Sequence, residues 1–284
     1  MKLIWDKKTE YMKLGFVISM YDEIDITNQT VITLRQNECK IVVIQSDPGD
    51  EKKKLDKTLC DIYELLPDLA GSKQNYAKIV EGFKQGKSHP VAPRAVTRNF
   101  SRGFSIIKDF DIDYVIALEG DEKVTSITGI TKIIEKMKKL EKHVGGTRTI
   151  GYTLHDEEGR LERYQDINST DIMPQFFIAD IESVRKGLFC DMKITNMHTS
   201  EQCLGDEILR FCKENNFNFF DVFYSICDYA YPSFIEGLHY NPKQISKIPS
   251  CLEGVVVGVR KRAGRRMNGL ITKLFKLGLD IMKV

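Results

Sequence analysis

The chain lacks the marks of several protein classes. It has no run of about 18 apolar residues, so no membrane-spanning helix is expected. Its cysteines (39, 60, 190, 203, 212, 227 and 251) are odd in number, scattered and without CxxC spacing. Neither a disulfide framework nor a zinc site is expected, and a reducing compartment is. The N-terminus, MKLIWDKKTEYMKLGF, has no apolar core of a signal peptide, which predicts a cytoplasmic protein. Charged residues make up 29% of the chain but leave a net charge of only +2. That balance gives no global argument for nucleic acid or for disorder. There is no internal repeat and no low-complexity segment. Neither GxGxxG nor GxxxxGK[ST] occurs, so no dinucleotide or P-loop site is supported.

What is present is a chain of 284 residues, 42% of them apolar, enough for one large α/β domain with appendages. Leu14–Met20 (LGFVISM) reads as a first strand ending in Tyr21, Asp22 and Glu23. A helix follows over Ile26–Arg35. Lys40–Gln45 (KIVVIQ) is a second strand, closed by the turn Ser46-Asp47-Pro48-Gly49-Asp50. This strand–turn–helix order opens a nucleotide-binding α/β unit. Glu51–Asp68 reads as helical toward its end, with Leu55, Leu59, Ile62 and Leu66 on one face. Asn75–Gly86 is a short helix candidate, Lys87–Arg98 a loop with two prolines, and Asn99–Phe110 a helix. Ile127–Leu140 is amphipathic, its apolar stripe facing the core and its lysines facing water. Thr149–Leu154 and Leu161–Tyr164 flank a hairpin turn. Gln175–Ala179 is a strand, and Asp180 caps the helix after it.

The central stretch is DYVIALEGDEKV. Tyr114–Leu118 is too short for a buried helix and rich in strand formers, so it reads as a strand covered on both faces. It ends in carboxylates, which places them at a sheet edge where open α/β sheets bind ligands. Glu119 and Asp121 project to the same side, and Gly120 lets a partner approach the backbone. Two hard oxygen donors with open positions suit Mg²⁺ or Mn²⁺ carrying a diphosphate. An ordinary acidic turn is the alternative. Arg94, Arg98 and Arg102 precede this strand and suit diphosphate or sugar contact, or simply a solvated face. Gly205-Asp206-Glu207 opens a helix whose apolar face is Leu204, Ile208 and Phe211. Its acids suit a helix cap or a general base for an acceptor hydroxyl. His239 suits a third metal ligand, a phosphate contact or a structural role. After residue 255 a basic cluster (Arg260, Lys261, Arg262, Arg265, Arg266) precedes a cationic amphipathic stretch. It fits an anionic membrane surface, or packing on the domain or on a partner.

In order, these features resemble nucleotide-sugar glycosyltransferases of the GT-A fold, most closely the large inverting group that includes cellulose and hyaluronan synthases. The resemblance covers roughly Leu14 to Phe211. FVISMYDE is similar to the family's first strand and its Tyr-Asn-Glu ending. IVVIQSDPGD matches the strand and acidic turn that hold base and ribose. Arg98-Asn99 and DYVIALEGDE resemble the Arg-Asn segment and the Asp-x-Asp metal motif. Asp206-Glu207 lies near the position of the catalytic acid pair. The chain departs from the pattern in Glu119 for the first aspartate, in Gln45-Ser46 where two aspartates are often found, and in Gly205-Asp206-Glu207 for Glu-Asp. It also lacks the Gln-x-x-Arg-Trp motif of processive enzymes.

The resemblance implies a GT-A domain over residues 1–255, a mixed central sheet with helices on both faces, and a basic amphipathic tail over 256–284. It implies transfer of one sugar from a nucleoside-diphosphate-sugar to a hydroxyl of a glycan or lipid-linked glycan, with inversion. Asp121 would bind Mn²⁺ or Mg²⁺, Glu119 would bind the metal through water or hold the ribose, and His239 would be a further metal ligand. Tyr21, Asp22, Glu23, Ser46, Asp47, Arg98 and Arg102 would line the donor nucleotide. Asp206 or Glu207 would be the base. The expected location is the cytoplasm, at the cytoplasmic face of a membrane if the tail docks there. A sugar-phosphate nucleotidyltransferase and a catalytically inactive GT-A scaffold are the alternatives.

Overall fold

The computed structural model describes residues 12–69, 91–148, 152–155, 161–164, 172–193, 200–228, 231–232, 235–237 and 255–256. Its centre is a seven-stranded sheet. In chain order the sheet's strands are β1 (Leu14–Met20), β2 (Lys40–Ser46), β3 (Ile62–Leu66), β4 (Tyr114–Glu119), β6 (Val144–Arg148), β9 (Ile172–Asp180) and β10 (Phe223–Asp228), and outside it lie β5 (Glu122–Val124), β7 (Tyr152–His155), β8 (Leu161–Tyr164), β11 (Tyr231–Pro232), β12 (Ile235–Gly237) and β13 (Val255–Val256). Across the sheet they run β10-β6-β9-β4-β1-β2-β3. β3, β2, β1 and β4 are mutually parallel, β6 and β10 are parallel to each other, and β9 runs against both of its neighbours.

Alternation along each strand divides the core. Phe16, Ile18, Ile41, Val43, Ile116, Leu118 and Ile178 point to one face. There they meet Val31 and Leu34 of α1 (Ile24–Gln36) and Ile130, Ile134 and Met137 of α3 (Ile127–Lys139). Val17, Val42, Val115, Ala117 and Phe177 point to the other face. They pack on Phe100, Phe104 and Ile107 of α2 (Val91–Ile107), on α4 (Ile181–Arg185), and on Leu204, Ile208 and Phe211 of α5 (Ser200–Asn215). Strands buried on both sides explain the near-continuous apolar runs of β1, β2 and β4. The expected mixed sheet with helices on both faces is present. α2 lies unusually close to β1: a Cβ on Gly103 would fall 2.2 Å from Val17 Cγ1.

Three sequence expectations are corrected. Glu51–Asp68 is not helical toward its end; it forms two short 3-10 turns, Glu51–Lys53 and Lys57–Leu59, and then β3. Asp50 and Asp56 cap those turns by accepting from the Lys52 and Thr58 N–H groups, and pairing with β2 claims Ile62–Leu66. Local 3.6-residue spacing lost to a free sheet edge. The Lys87–Arg98 segment is helical from Val91, because Pro93 falls in the first turn, where a missing N–H costs nothing. Gly205-Asp206-Glu207 does not open its helix, since α5 begins at Ser200.

The Asn75–Gly86 helix, His239 and almost all of the basic tail lie outside the described residues. Val255 and Val256 pair with Pro232 and Tyr231. Among the described residues no helix is long and apolar enough to cross a membrane, and Cys39, Cys60, Cys190, Cys203 and Cys212 are free thiols.

Candidate active site

In the order β3-β2-β1-β4 the chain leaves β1 toward β2 on one side and later returns to β4 on the other. The gap between the carboxyl ends of β1 and β4 is therefore a topological switch point, where open α/β sheets bind ligands. Ser19 pairs with Glu119 there, and the Gly120 N–H donates to the Ser19 carbonyl at 2.7 Å. Tyr21–Glu23 and Glu119–Glu122 thus leave the sheet side by side.

The turn after β4 is held from below by α1. Thr27 Oγ1 donates to the Gly120 carbonyl at 2.9 Å, and Thr30 Oγ1 to the Glu122 carbonyl at 3.0 Å. Gly120 is required by packing rather than by a ligand: an added Cβ would sit 2.5 Å from Met20 Cβ. The strand after it, β5 (Glu122–Val124), pairs antiparallel with β12 (Ile235–Gly237), so Glu122 faces Gly237.

Carboxylates converge at this point. Burial holds Glu119 well above the ordinary carboxylate range, and the charges of Asp121, Glu201, Glu122 and Glu23 push it further. Glu122 is 1% exposed, and neither of its oxygens has a hydrogen-bond partner among the described residues. Burial, then Asp121, pushes it up to about 9. Burial also raises Glu23; the Tyr21 N–H, donating at 3.0 Å, pulls it back, while Asp121 and Asp22 raise it. Asp121, 9% exposed, acts on all three.

The structure brings Tyr21, Asp22, Glu23, Glu119 and Asp121 together. Asp22 is ion-paired to Lys53. Ser46 and Asp47 end the neighbouring strand β2. Ser46 is buried under Asn99 and Arg98, whose Nδ2 and Nη2 lie 3.2 and 3.1 Å from its Oγ. Asp47 Oδ1 accepts from the Gly49 N–H at 2.9 Å, closing the turn. Gln45 is a staple. Its Nε2 donates to the Tyr21 and Lys53 carbonyls at 2.6 and 2.7 Å, and its Oε1 accepts from Tyr63 Oη at 2.7 Å.

Other expected residues stand elsewhere. Arg102 is exposed and bound to Glu64 of β3 at 2.8 Å, two strands beyond β1. Glu207 is buried against Arg210 and accepts the Phe189 N–H at 3.1 Å. Its carboxylate already serves the fold, which argues against its being the base. Asp206 is on the exposed side of α5, and neither acid is among the charges acting on Glu119. The α5 acid that does act there is Glu201, in the helix's first turn. The sequence reading missed it by starting the helix at Gly205; the Ser200-Glu201 pair ahead of the Leu204-Ile208-Phe211 stripe is a start signal that could have found it.

Among the described residues no three His, Cys, Asp or Glu side chains are grouped to hold a metal ion alone. Mg²⁺ and Mn²⁺ seldom need that: they keep waters and take one or two carboxylates plus substrate phosphates. Glu119 and Asp121 fit that share, and a bound cation would favour the ionised form of the raised acids around them.

Neither a protein-family model nor a curated protein matches the chain. Among solved structures it is similar to 4-diphosphocytidyl-2C-methyl-D-erythritol synthase from Anaerococcus prevotii, at 13% identity and a TM-score of 0.40, over 77% of this chain and 90% of that one. It is also similar to mouse xyloside xylosyltransferase 1, at 10% identity and a TM-score of 0.34, over 75% and 85%. At such scores the fold is defined by the strand order itself.

Proposed function

We propose that the protein transfers a sugar from a nucleoside-diphosphate-sugar to a hydroxyl acceptor. The observation that carries this reading is the convergence of Glu23, Glu119, Asp121, Glu122 and Glu201 at the β1/β4 switch point, where burial and neighbouring acids raise Glu23, Glu119 and Glu122. Such a cluster repels a free diphosphate and suits one that arrives with Mg²⁺ or Mn²⁺. The bound metal would neutralise charge on the departing diphosphate.

The chain's own residues supply the remainder. The ends of β2 and β1, with Ser46, Asp47 and Tyr21–Glu23, receive the nucleoside. Arg98, tied to Ser46 and to the Pro67 carbonyl at 2.7 Å, braces the floor beneath it. Glu201, whose charge acts on Glu119, is the carboxylate assigned in this reading to take the acceptor's proton. The acceptor oxygen bonds to the anomeric carbon as the bond from that carbon to the diphosphate oxygen breaks, and a single in-line displacement inverts the centre. The basic tail after residue 255 is the segment proposed to meet a membrane-borne acceptor.

The test is a thermal-shift panel of nucleoside diphosphates and nucleotide-sugars, each with and without Mn²⁺. A ligand at 100 times its dissociation constant adds about 2.7 kcal/mol to stability. One nucleotide should shift the transition only with metal; no shift with any would sink the reading. Glu201→Gln should then keep the shift and lose turnover, whereas Asp206→Asn should keep both. Pyrophosphate release from a nucleoside triphosphate would instead make the protein a nucleotidyltransferase.

A further inference from the structure

Gln175 lies near the start of β9, the strand that runs against β4. The register pairs Ala117 with Phe177 and Leu118 with Phe176. Carried one step further, it sets Gln175 opposite Glu119 on the same sheet face as Ala117 and Phe177, the face covered by α2 and α5. The amide oxygen of Gln175 is buried and has no hydrogen-bond partner among the described residues. No hydrogen bond reaches the Glu119 carboxylate among the described residues either. Glu201, at the start of α5, also acts on Glu119.

A buried amide acceptor without a donor is costly and uncommon in a native fold. A metal-bound Glu119 would be ionised and could only accept. Among the described residues no O–H or N–H reaches the amide oxygen, which leaves it open to a donor on a ligand. Strand order says which part of a ligand would bring it. The nucleoside end belongs to β2 and β1 and the diphosphate to the acids after β4. The next strand in that direction is β9. We infer that Gln175 is a specificity-determining residue, whose amide accepts a hydroxyl of the sugar being transferred. The inference rests on the transferase reading and names a contact for its substrate.

A site built to bond one substrate hydroxyl discriminates strongly against sugars that lack it or direct it elsewhere. The experiment compares wild type, Gln175→Met and Gln175→Asn. The probes are uridine, cytidine, guanosine, thymidine and adenosine diphosphates, and their diphospho-glucose, -galactose and -mannose forms, all with Mn²⁺. Affinity comes from calorimetry. Met keeps the length without the amide, and Asn withdraws the amide by one methylene, so either variant reads the contact if the other fails to fold. The expected result is a loss of about tenfold in the preference for the best hexose over the next, with affinity for the bare diphosphate unchanged.

An unchanged hexose preference overturns the inference, even if the variants melt lower, because Gln175 would then be bonded within the protein. An equal loss for the bare diphosphate also overturns it. Wild-type protein that binds none of the diphosphates overturns the transferase reading itself, a result separate from either of these.

Discussion

Glu122 and Glu207 are both buried glutamates, 1% and 4% exposed, and burial raises both. Their surroundings differ completely. Glu207 meets the Arg210 guanidinium at 2.5 Å and takes the Phe189 N–H, so its charge is compensated and its lone pairs are used. Among the described residues Glu122 has no hydrogen-bond partner, and the charge of Asp121 acts on it. A buried acid with a cation and an N–H is what a fold keeps for its own cohesion. A buried acid without either lowers stability and persists where something else benefits. The same contrast runs through the molecule: Asp61 has Arg35 and Lys40, and Glu64 has Arg102. At the β1/β4 gap the charges acting on Glu119 are those of other acids, Asp121, Glu201, Glu122 and Glu23.

The sharpest way to break this comparison is to remove the acid on which the others converge. Asp121→Ala should cost at least a thousandfold in metal-dependent nucleotide affinity, about 4 kcal/mol, measured by calorimetry. Unchanged nucleotide affinity would count against a functional cluster.

Glu122 gives the next largest effect, and its sign is fixed by its raised folded value. Its ordinary value is 4.5 and its folded one about 9. Below 4.5 both states are protonated and nothing is lost. Between the two values the unfolded chain releases a proton that the folded chain retains, so stability falls by about 1.4 kcal/mol per pH unit. At pH 7 the deficit is about 3 kcal/mol. Without divalent cations the protein should therefore denature more readily in urea at pH 8 than at pH 5, and Glu122→Gln should remove much of that slope. On the other side of the comparison, Arg210→Ala leaves Glu207 buried and unpaired. It should cost about 2 kcal/mol in urea denaturation, less than a fully buried pair because Arg210 is itself partly exposed.

How much of this was legible in the sequence follows from the range of each interaction. β1, β2, β4, α1 and α3 were legible because their apolar patterns are local: continuous for strands covered on both faces, periodic for the amphipathic helix. Glu119 and Asp121 were legible for the same reason, as the polar end of an apolar run. β3 was not, because its pairing with β2 is long-range and its own spacing also fits a helix. Glu201 was lost with the start of its helix. Gln175 reads in sequence only as the polar edge of QFFIA, and its importance comes from a strand more than 50 positions earlier. Glu207 and Arg102 show the converse, polar residues in suggestive places whose partners, Arg210 and Glu64, only the fold reveals.

The smallest predicted effect separates two arginines one helical turn apart on α2. Arg98 donates to Ser46 Oγ and to the Pro67 carbonyl, and burial lowers its pKa. Arg102 makes a half-exposed ion pair with Glu64. Exposed pairs of this kind contribute about 0.2–1 kcal/mol. Arg102→Ala should therefore change stability by no more than about 0.5 kcal/mol and leave nucleotide affinity as it was. Arg98→Ala removes donors from a buried hydroxyl and a backbone carbonyl, so it should cost about 1–2 kcal/mol and weaken the nucleotide through the displaced end of β2. If Arg102→Ala weakened nucleotide binding as much as Arg98→Ala, the nucleotide would have to reach across β2 to β3, and the placement of the donor over β2, β1 and β4 would have to be redrawn.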